Sequence, residues 1–482
     1  MIGIKGVGMT MLAQYFSAKG FVVIGSDIDE KFMTDEILVK LGIKVFEKFS
    51  KNNIPCDIDL IIYSTAYNIE NNEEVASALA SKIKTLTYAQ ALAEIFNQKY
   101  GIAIVGSHGK TTVTAWLGYV LWHAKLDPNV MVGAKVPQFN GSTLVGKSNY
   151  LIIEADEYQN KLKYFQPKAV ILNNIDYDHP DFFSTKKDYE NVFKEFIKKI
   201  PDIGVDCGSE SAMTVNKGFL VANYDDLTIR KITKVNCKCK IITYGIKKEA
   251  DYVAYDIEVK DGAQYFKVKK RLPRCLDYKA PRNDKFDELG DFSIQLFGQH
   301  NISNALAVIV ASIELGIELK QIKKFLGEFQ GTTRRLQILG EFQGAIIIDD
   351  YAHHPTEIVA SLDALRQKYG NKKIIVIFHP HTFTRTKVLL NDFAKSFNIA
   401  DEVIVLDIYG SAREKHGGVS SEDLVNKLRI TNYKLRIKQE IKYIPTLDKC
   451  ETYLRSQIKK DDVIVLMGAG DVFKIGENLV KK

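Results

Sequence analysis

Short apolar runs alternate with helix-periodic stretches along the whole 482-residue chain. That is the pattern of α/β domains on largely parallel sheets, whose buried strands read as unbroken apolar runs. In the first hundred residues, FVVIG (21–25) and LIIYS (60–64) predict strands. GIAIV (101–105) follows the polar stretch FNQKYG and opens a second block, which continues with buried strands ending at LIIEADEY (151–158) and AVILNN (169–174). Around 251–270 the pattern turns to strict alternation, which predicts a hairpin across Lys260-Asp261-Gly262. A third block begins near GTTRRLQ (331–337) and carries AIIID (345–349), KIIVIF (373–378), EVIVLD (402–407) and VIVLM (463–467). In such sheets ligands gather at the carboxyl ends of strands, and the polar clusters of this chain fall there.

The length suggests about three domains, and the breaks in pattern place them at 1–99, 100–330 and 331–482. With 46% apolar and 26% charged residues the composition is globular, which excludes a disordered or collagen-like chain. The net charge of +7 is spread along the sequence and suits anionic small molecules as well as nucleic acid. Of the six cysteines (56, 207, 237, 239, 275 and 450) only Cys237 and Cys239 lie close together, a poor zinc signature and too sparse for a disulfide scaffold. Reduced thiols in the cytosol are expected. No apolar run approaches the roughly 18 residues needed to cross a bilayer. Gly3, Gly6, Gly8, Gln14 and Lys19 break the opening segment as a signal peptide. A soluble, cytoplasmic protein is expected.

GIKGVGMT (3–10) is a glycine loop ahead of a helix, suited to bringing backbone N–H groups against a pyrophosphate. Asp27, 19 residues after Gly8, could hold a ribose hydroxyl, although the G-x-x-G-x-G spacing is a weak dinucleotide signal. A tight turn packing a helix on a strand explains this loop almost as well. VGSHGKTT (105–112) is stronger, because it joins a strand to a helical run where a phosphate loop belongs. Amides around Gly109 can cradle phosphate oxygens, Lys110 can bridge the β- and γ-phosphates, and Thr111 can ligate Mg²⁺. ATP or a close analogue is the expected ligand. Glu154, Asp156 and Glu157, together with Asn174, Asp178 and His179 of IDYDHPD, arrive on strands beside that loop. Solvated acidic turns would explain either segment alone, whereas their joint placement favours a hard cation with oxygen ligands. Seven of the nine histidines (108, 179, 300, 353, 354, 379 and 381) lie in polar clusters at strand ends or helix starts.

In this order the motifs resemble the Mur ligase family over essentially the whole chain. GIKGVGMT, GSHGKTT, EADE, NNIDYDH, GQHNISNA, TTRRLQ, DDYAHHPTE, FHPHTFTRT, DIYGSARE and MGAGD follow the family order. The resemblance implies three α/β domains. They are a Rossmann-like N-terminal domain for a UDP-sugar, a central P-loop ATPase domain with a parallel sheet, and a Rossmann-like C-terminal domain for the incoming amino acid. It also implies the reaction, in which ATP phosphorylates the lactyl carboxylate of UDP-N-acetylmuramate and the amine of L-alanine attacks the acyl phosphate. Gly106, Ser107, His108, Gly109, Lys110, Thr111 and Thr112 would hold the ATP phosphates, with Asn301 reading adenine, Arg335 near the phosphates, and Asp350 and Tyr351 contacting nucleotide. Thr111, Glu154 and His179 would hold Mg²⁺. Gly6, Val7, Gly8, Asp27 and Ser64 would line the UDP-sugar site, and His381 and Arg385, four residues apart on one expected helical face, would meet the amino acid. Partners are then small molecules, with no nucleic acid or membrane, and a monomer or weak homodimer.

Two features depart from the family pattern. Almost no residues precede Gly3, where relatives carry a few more, so either the start is misassigned or the first strand is expected to be frayed. EADEY and NNIDYDHPDFF are closer to the branch that attaches a murein tripeptide, while FHPHTFTRT and DIYGSAREKHGG resemble the alanine-adding branch. Since the third domain selects the amine, alanine is the favoured acceptor and the tripeptide the alternative. A dinucleotide-dependent oxidoreductase would leave GSHGKTT and the acidic cluster unexplained, and a nonenzymatic UDP-sugar sensor would leave the chemical positions without a use.

Overall fold

The computed structural model describes residues 1–202, 218–272, 286–410 and 417–481. Cys207, Cys275 and residues 411–416, which include the SARE end of the DIYGSARE motif, lie outside them; Cys56, Cys237, Cys239 and Cys450 are free thiols. No helix among the described residues is long and apolar enough to cross a membrane.

At the N-terminus, parallel pairs Ile24–Ser26 with Lys44–Phe46 and Leu60–Tyr63 with Lys84–Thr87 are joined through Ile2, which bridges both Ser26 and Tyr63. Ile2 is fully buried and donates its N–H to Ile62 O at 2.8 Å, so this one-residue strand is pinned rather than frayed. The glycine loop leaves from it. The FVVIG expectation is corrected: the strand begins only at Ile24, and Phe21 and Val22 are exposed. Phe21 is turned back on the preceding helix, its ring 5.4 Å from that of Phe16 and its N–H donating to Phe16 O at 3.0 Å, so the segment closes a helix end instead of extending a strand.

The middle of the chain forms a ten-stranded sheet. Its parallel centre runs Asn129–Val136, Tyr150–Glu154, Tyr100–Val105, Ala169–Leu172, Phe219–Asn223 and Lys240–Gly245. Tyr100–Val105 is buried at every position, as a central parallel strand requires. The expected hairpin is present as Tyr252–Lys260 and Ala263–Arg271, antiparallel, with Asp261-Gly262 both at positive φ. This is the backbone that a two-residue Asp-Gly turn favours. The helix Lys110–His123 packs deep against the sheet, where Trp116 stacks on Phe329 at 5.2 Å and donates its indole N–H to Leu326 O at 3.1 Å.

The C-terminal six-stranded sheet has the order Gln337–Phe342, Ala345–Asp350, Val463–Met467, Ile374–Phe378, Glu402–Val405, Glu440–Tyr443, parallel except for the first strand. Its strand ends, carrying Asp350, His379 and Gly468, face the phosphate-loop end of the middle sheet across the contacts described next.

Candidate active site

The strand Tyr100–Val105 delivers residues 106–109 to the start of the helix Lys110–His123, whose cap, Gly109, has φ +80°. A Cβ there would lie 2.7 Å from Asn304 Oδ1, so both conformation and space call for glycine. The loop is moulded by the segment that follows the neighbouring strand Ala169–Leu172. Asn174 Oδ1 accepts from His108 N at 2.8 Å and its Nδ2 donates to His108 O at 3.0 Å, while Ser107 Oγ donates to Asp176 O at 2.6 Å and accepts from Asp176 N at 2.8 Å. Thr112 lines the cavity beside the loop. The helix N-terminus and Lys110 together form a ready anion site. Lys110 Nζ donates to Ser107 O at 3.3 Å and pairs with Glu157 at 3.0 Å. Burial alone would lower the Lys110 ammonium, but Glu157, Asp156 and Glu154 outweigh it and its pKa is raised.

Glu154 ends its strand with Oε2 accepting from Thr111 Oγ1 at 2.7 Å. Burial raises its pKa, opposed by the Thr111 hydroxyl, Lys110 and Arg335. The structure therefore unites two of the three expected cation ligands. His179, at φ +56°, gathers with Asp156 and Glu157, their ligand atoms lying within 4.8 Å of one another. Glu157, almost wholly buried, also accepts from Tyr189 OH at 2.9 Å. This donor set, dominated by carboxylate and hydroxyl oxygen, fits a hard divalent cation.

The phosphate loop also reaches the C-terminal domain. His108 Nε2 lies 3.2 Å from Asp176 and Nδ1 3.2 Å from Glu357, in the first turn of the helix Pro355–Tyr369. Burial lowers His108, yet its hydrogen bonds to Asp176 and Glu357 prevail and raise its pKa to about 9. Thr356 Oγ1 donates to Asp176 at 2.6 Å, and Arg335 Nη1 lies 3.6 Å from Glu357. Between the two domains opens a cavity of about 830 Å³, lined by His108, Gly109, Phe297, Asn301, Arg335 and Asp350 among others. That volume suits a small organic ligand. Asn301 is positioned by donating to Phe297 O at 2.7 Å and accepting from Asn304 at 3.1 Å. His300 on the same wall is held neutral, its pKa lowered to about 4 by burial and by Arg335. Asp350 is buried on the cavity wall, its Oδ1 accepting from Leu336 N at 3.4 Å, and burial raises its pKa against a hydrogen bond from Ser361 and the charge of Arg335. Tyr351 presents its ring to both Arg334 and Arg335, at 5.0 and 5.2 Å.

His381 and Arg385 meet, with Arg385 Nη1 3.2 Å from His381 Nδ1, but not along one helical face. The helix Phe383–Val388 is capped by Thr382, so His381 precedes it; the chain bends back at Thr382, where φ is +68°. Arg385 is buried and ion-paired with Asp178 of the middle domain at 3.0 Å. In the first domain Gly6 caps the helix that begins at Val7, and Tyr88 packs on Gly8. Asp27 accepts from Lys5 N at 2.7 Å, Ile28 N at 2.9 Å and Tyr67 OH at 3.2 Å, holding the loop in shape. Ser64 accepts from Ala66 N at 3.3 Å at the end of its strand. Sequence reasoning passed over Tyr189, Asp176, Glu357 and Arg334. Glu357 and Arg334 could have been found as neighbours within singled-out motifs, whereas Tyr189 carries no local signal.

Three domain descriptions match the chain in order: "Mur ligase family, catalytic domain" over residues 1–100, "Mur ligase middle domain" over 104–312 and "Mur ligase, glutamate ligase domain" over 334–470. The chain is 34% identical over 481 residues to a UDP-N-acetylmuramate–L-alanine ligase of Desulfitobacterium hafniense, covering 99% of this chain and 98% of that one. It is 37% identical to the protein of the same name from Agathobacter rectalis over 482 residues, 100% of this chain and 97% of that one. The crystal structure of the UDP-N-acetylmuramate-alanine ligase MurC from Thermotoga maritima superposes with a TM-score of 0.78 at 26% identity, covering 99% and 97% of the two chains. A murein peptide ligase from Psychrobacter arcticus shares the fold, with a TM-score of 0.70 at 22% identity over 99% and 97%. With its phosphate loop, facing carboxylates and interdomain cavity in the family order, and relatives above 30% identity along its whole length, the chain belongs to the Mur ligase family.

Proposed function

We propose that this chain is an ATP-dependent ligase that joins L-alanine to the lactyl carboxylate of UDP-N-acetylmuramate, in peptidoglycan precursor synthesis in the cytoplasm. The observation that carries the reading is the linked set of contacts that joins Thr111 to Glu154, Lys110 to Glu157 and, through Asp178 beside His179, Arg385 of the C-terminal domain. On this reading residues 1–99 hold the UDP-sugar, 100–330 the ATP phosphates, and 331–482 close over the nucleotide and receive the amino acid.

A carboxylate is a poor electrophile, so its oxygen must first take the γ-phosphoryl group, releasing ADP. The amine of alanine then adds to the acyl carbon, and collapse expels phosphate and leaves an amide. Lys110 and the helix N-terminus stabilise the charge that grows on phosphoryl oxygens, and their orientation is fixed before reaction by Asn174 and Glu157. Thr111 and Glu154, with Asp156, Glu157 and His179 beside them, would hold Mg²⁺. When bound, Mg²⁺ supplies further neutralisation of phosphate charge. Asn301 and Asp350 face the nucleotide, and Arg385 with His381 orients the amino acid through its carboxylate.

Phosphate release with UDP-N-acetylmuramate and ATP, compared among L-alanine, L-serine, glycine and the murein tripeptide, tests the assignment. Highest kcat/KM with L-alanine is expected; preference for the tripeptide overturns the acceptor assignment.

A further inference from the structure

Arg385 and Asp178 stand 207 residues apart in sequence, on domains built around different sheets, and form a buried ion pair. The side chains keep only 6% and 8% of their exposure. Nε and Nη2 of the guanidinium both donate to Asp178 Oδ1, at 3.1 and 3.0 Å. Asp178 thus takes the side edge of the guanidinium. The end edge, formed by Nη1 and Nη2, is the second face on which a guanidinium can grip a carboxylate with two parallel hydrogen bonds. Nη1 also meets His381 Nδ1 at 3.2 Å and donates weakly to His381 O at 3.4 Å, which fixes the plane of the group from its other side; an incoming carboxylate would take over the longer of these two bonds.

Asp178 has a second attachment. Its Oδ1 accepts from the backbone N–H of His179 at 2.7 Å, and its Oδ2 lies 3.8 Å from His179 Nε2. The same carboxylate therefore touches the clamp on one domain and the neighbour of Asp156 and Glu157 on the other. The contact to Arg385 is lost if the two domains move apart, whereas the contact to His179, its neighbour in the chain, is kept.

We propose that Asp178 is a positioning residue of the acceptor site: it turns the Arg385 guanidinium so that its end edge receives the carboxylate of the incoming amino acid, and it does so only when the C-terminal domain is closed on the cation cluster. This rests on the reading of Arg385 as the acceptor clamp. An amino acid then meets a formed clamp only in the arrangement in which the acyl phosphate is also shielded from water. A purely structural tie would instead affect all substrates alike.

The test is a double-mutant cycle of Asp178→Asn, Arg385→Lys and both together, in the full-length enzyme, with KM read separately for L-alanine, ATP and UDP-N-acetylmuramate. Acyl phosphate formed without alanine is trapped in parallel with hydroxylamine. Asp178→Asn is expected to raise the alanine KM about tenfold or more, since misplacing a positioning group is costly. The other two KM values and hydroxamate formation should stay within about twofold, and the double variant should be no worse than Arg385→Lys alone. If Asp178→Asn does not fold, Asp178→Glu takes its place in the cycle, with an expected alanine KM about threefold raised. An unmoved alanine KM at position 178 together with a raised one at 385 overturns the proposal and leaves the clamp reading standing. If neither variant moves it, the clamp reading falls and the proposal with it. If all three KM values and hydroxamate formation worsen together, Asp178 is a structural tie and the proposal is wrong.

Discussion

Gly133 and Glu154 lie against each other on adjacent parallel strands, so closely that a Cβ on residue 133 would sit 1.7 Å from Glu154 Oε1. The space in which the Glu154 carboxylate meets Thr111 exists because residue 133 has no side chain. The atom that would clash is the tip of a flexible side chain, so a methyl group there should swing the carboxylate aside rather than unfold the sheet. Gly133→Ala is therefore expected to keep a wild-type circular dichroism spectrum while turnover drops about a hundredfold, the scale of an ångström's misplacement. Near-normal turnover would mean that Glu154 need not sit where it does.

Lys110 has two proposed roles, one toward ATP and one in the fold. Its ammonium is the partner of the nearly fully buried Glu157 carboxylate. Lys110→Ala should abolish ligase activity and also lower stability, by about 3 kcal/mol as for a broken buried pair. Adding Glu157→Gln should restore the melting temperature without restoring activity. If Lys110→Ala melts like wild type, the ion pair contributes nothing to stability; if it turns over normally, the phosphate-site assignment fails.

The buried strands were legible because a parallel sheet covered on both faces selects unbroken apolar runs, as at Tyr100–Val105 and Val463–Met467. Edge strands such as Gln337–Phe342 and Glu440–Tyr443 were missed, since they are half exposed and mix Gln, Glu and Lys with apolar residues. The phosphate loop could be read locally, because its geometry depends on glycines and a lysine within a few residues. The groups that hold it could not. Glu357 reaches His108 across 249 positions, and no periodicity encodes such a meeting. His381 shows the opposite failure: helical spacing predicted its meeting with Arg385, but the contact is made by a bend at Thr382 outside the helix.

The His108 pairing gives a pH signature. Its pKa rises from the ordinary 6.5 to about 9 in the folded chain, so its stabilising contribution is complete below pH 6.5 and disappears as pH climbs through 9. Asp176, despite burial, is lowered from 3.8 to about 2 by His108 and Thr356; its contribution is present above pH 3.8 and lost as pH falls through 2. Wild-type melting temperature should therefore decline between pH 6.5 and 9 by a few degrees more than that of His108→Asn, at about 2–4 °C per kcal/mol. Parallel melting curves for the two proteins across that window would remove His108 as the titrating group.

The proposed cation site makes a last prediction, about how the residues that would hold the ion divide. Glu154 stands with Thr111, and His179 stands with Asp156 and Glu157, so the two residues lost singly should affect different parts of one charged site. Glu154→Ala and His179→Ala should each raise the Mg²⁺ concentration for half-maximal turnover about tenfold. Binding of UDP-N-acetylmuramate measured in EDTA should be preserved in both, because the sugar nucleotide is proposed to rest on the glycine loop around Gly6 and Gly8. If the two residues serve separate cation positions, the double variant should show the product of the single effects. If they share one, the second loss should add little once the first has emptied it. Mg²⁺ titrations of the four proteins decide between these, and an unchanged Mg²⁺ requirement in both single variants would return Glu154 and His179 to the status of ordinary polar groups at strand ends.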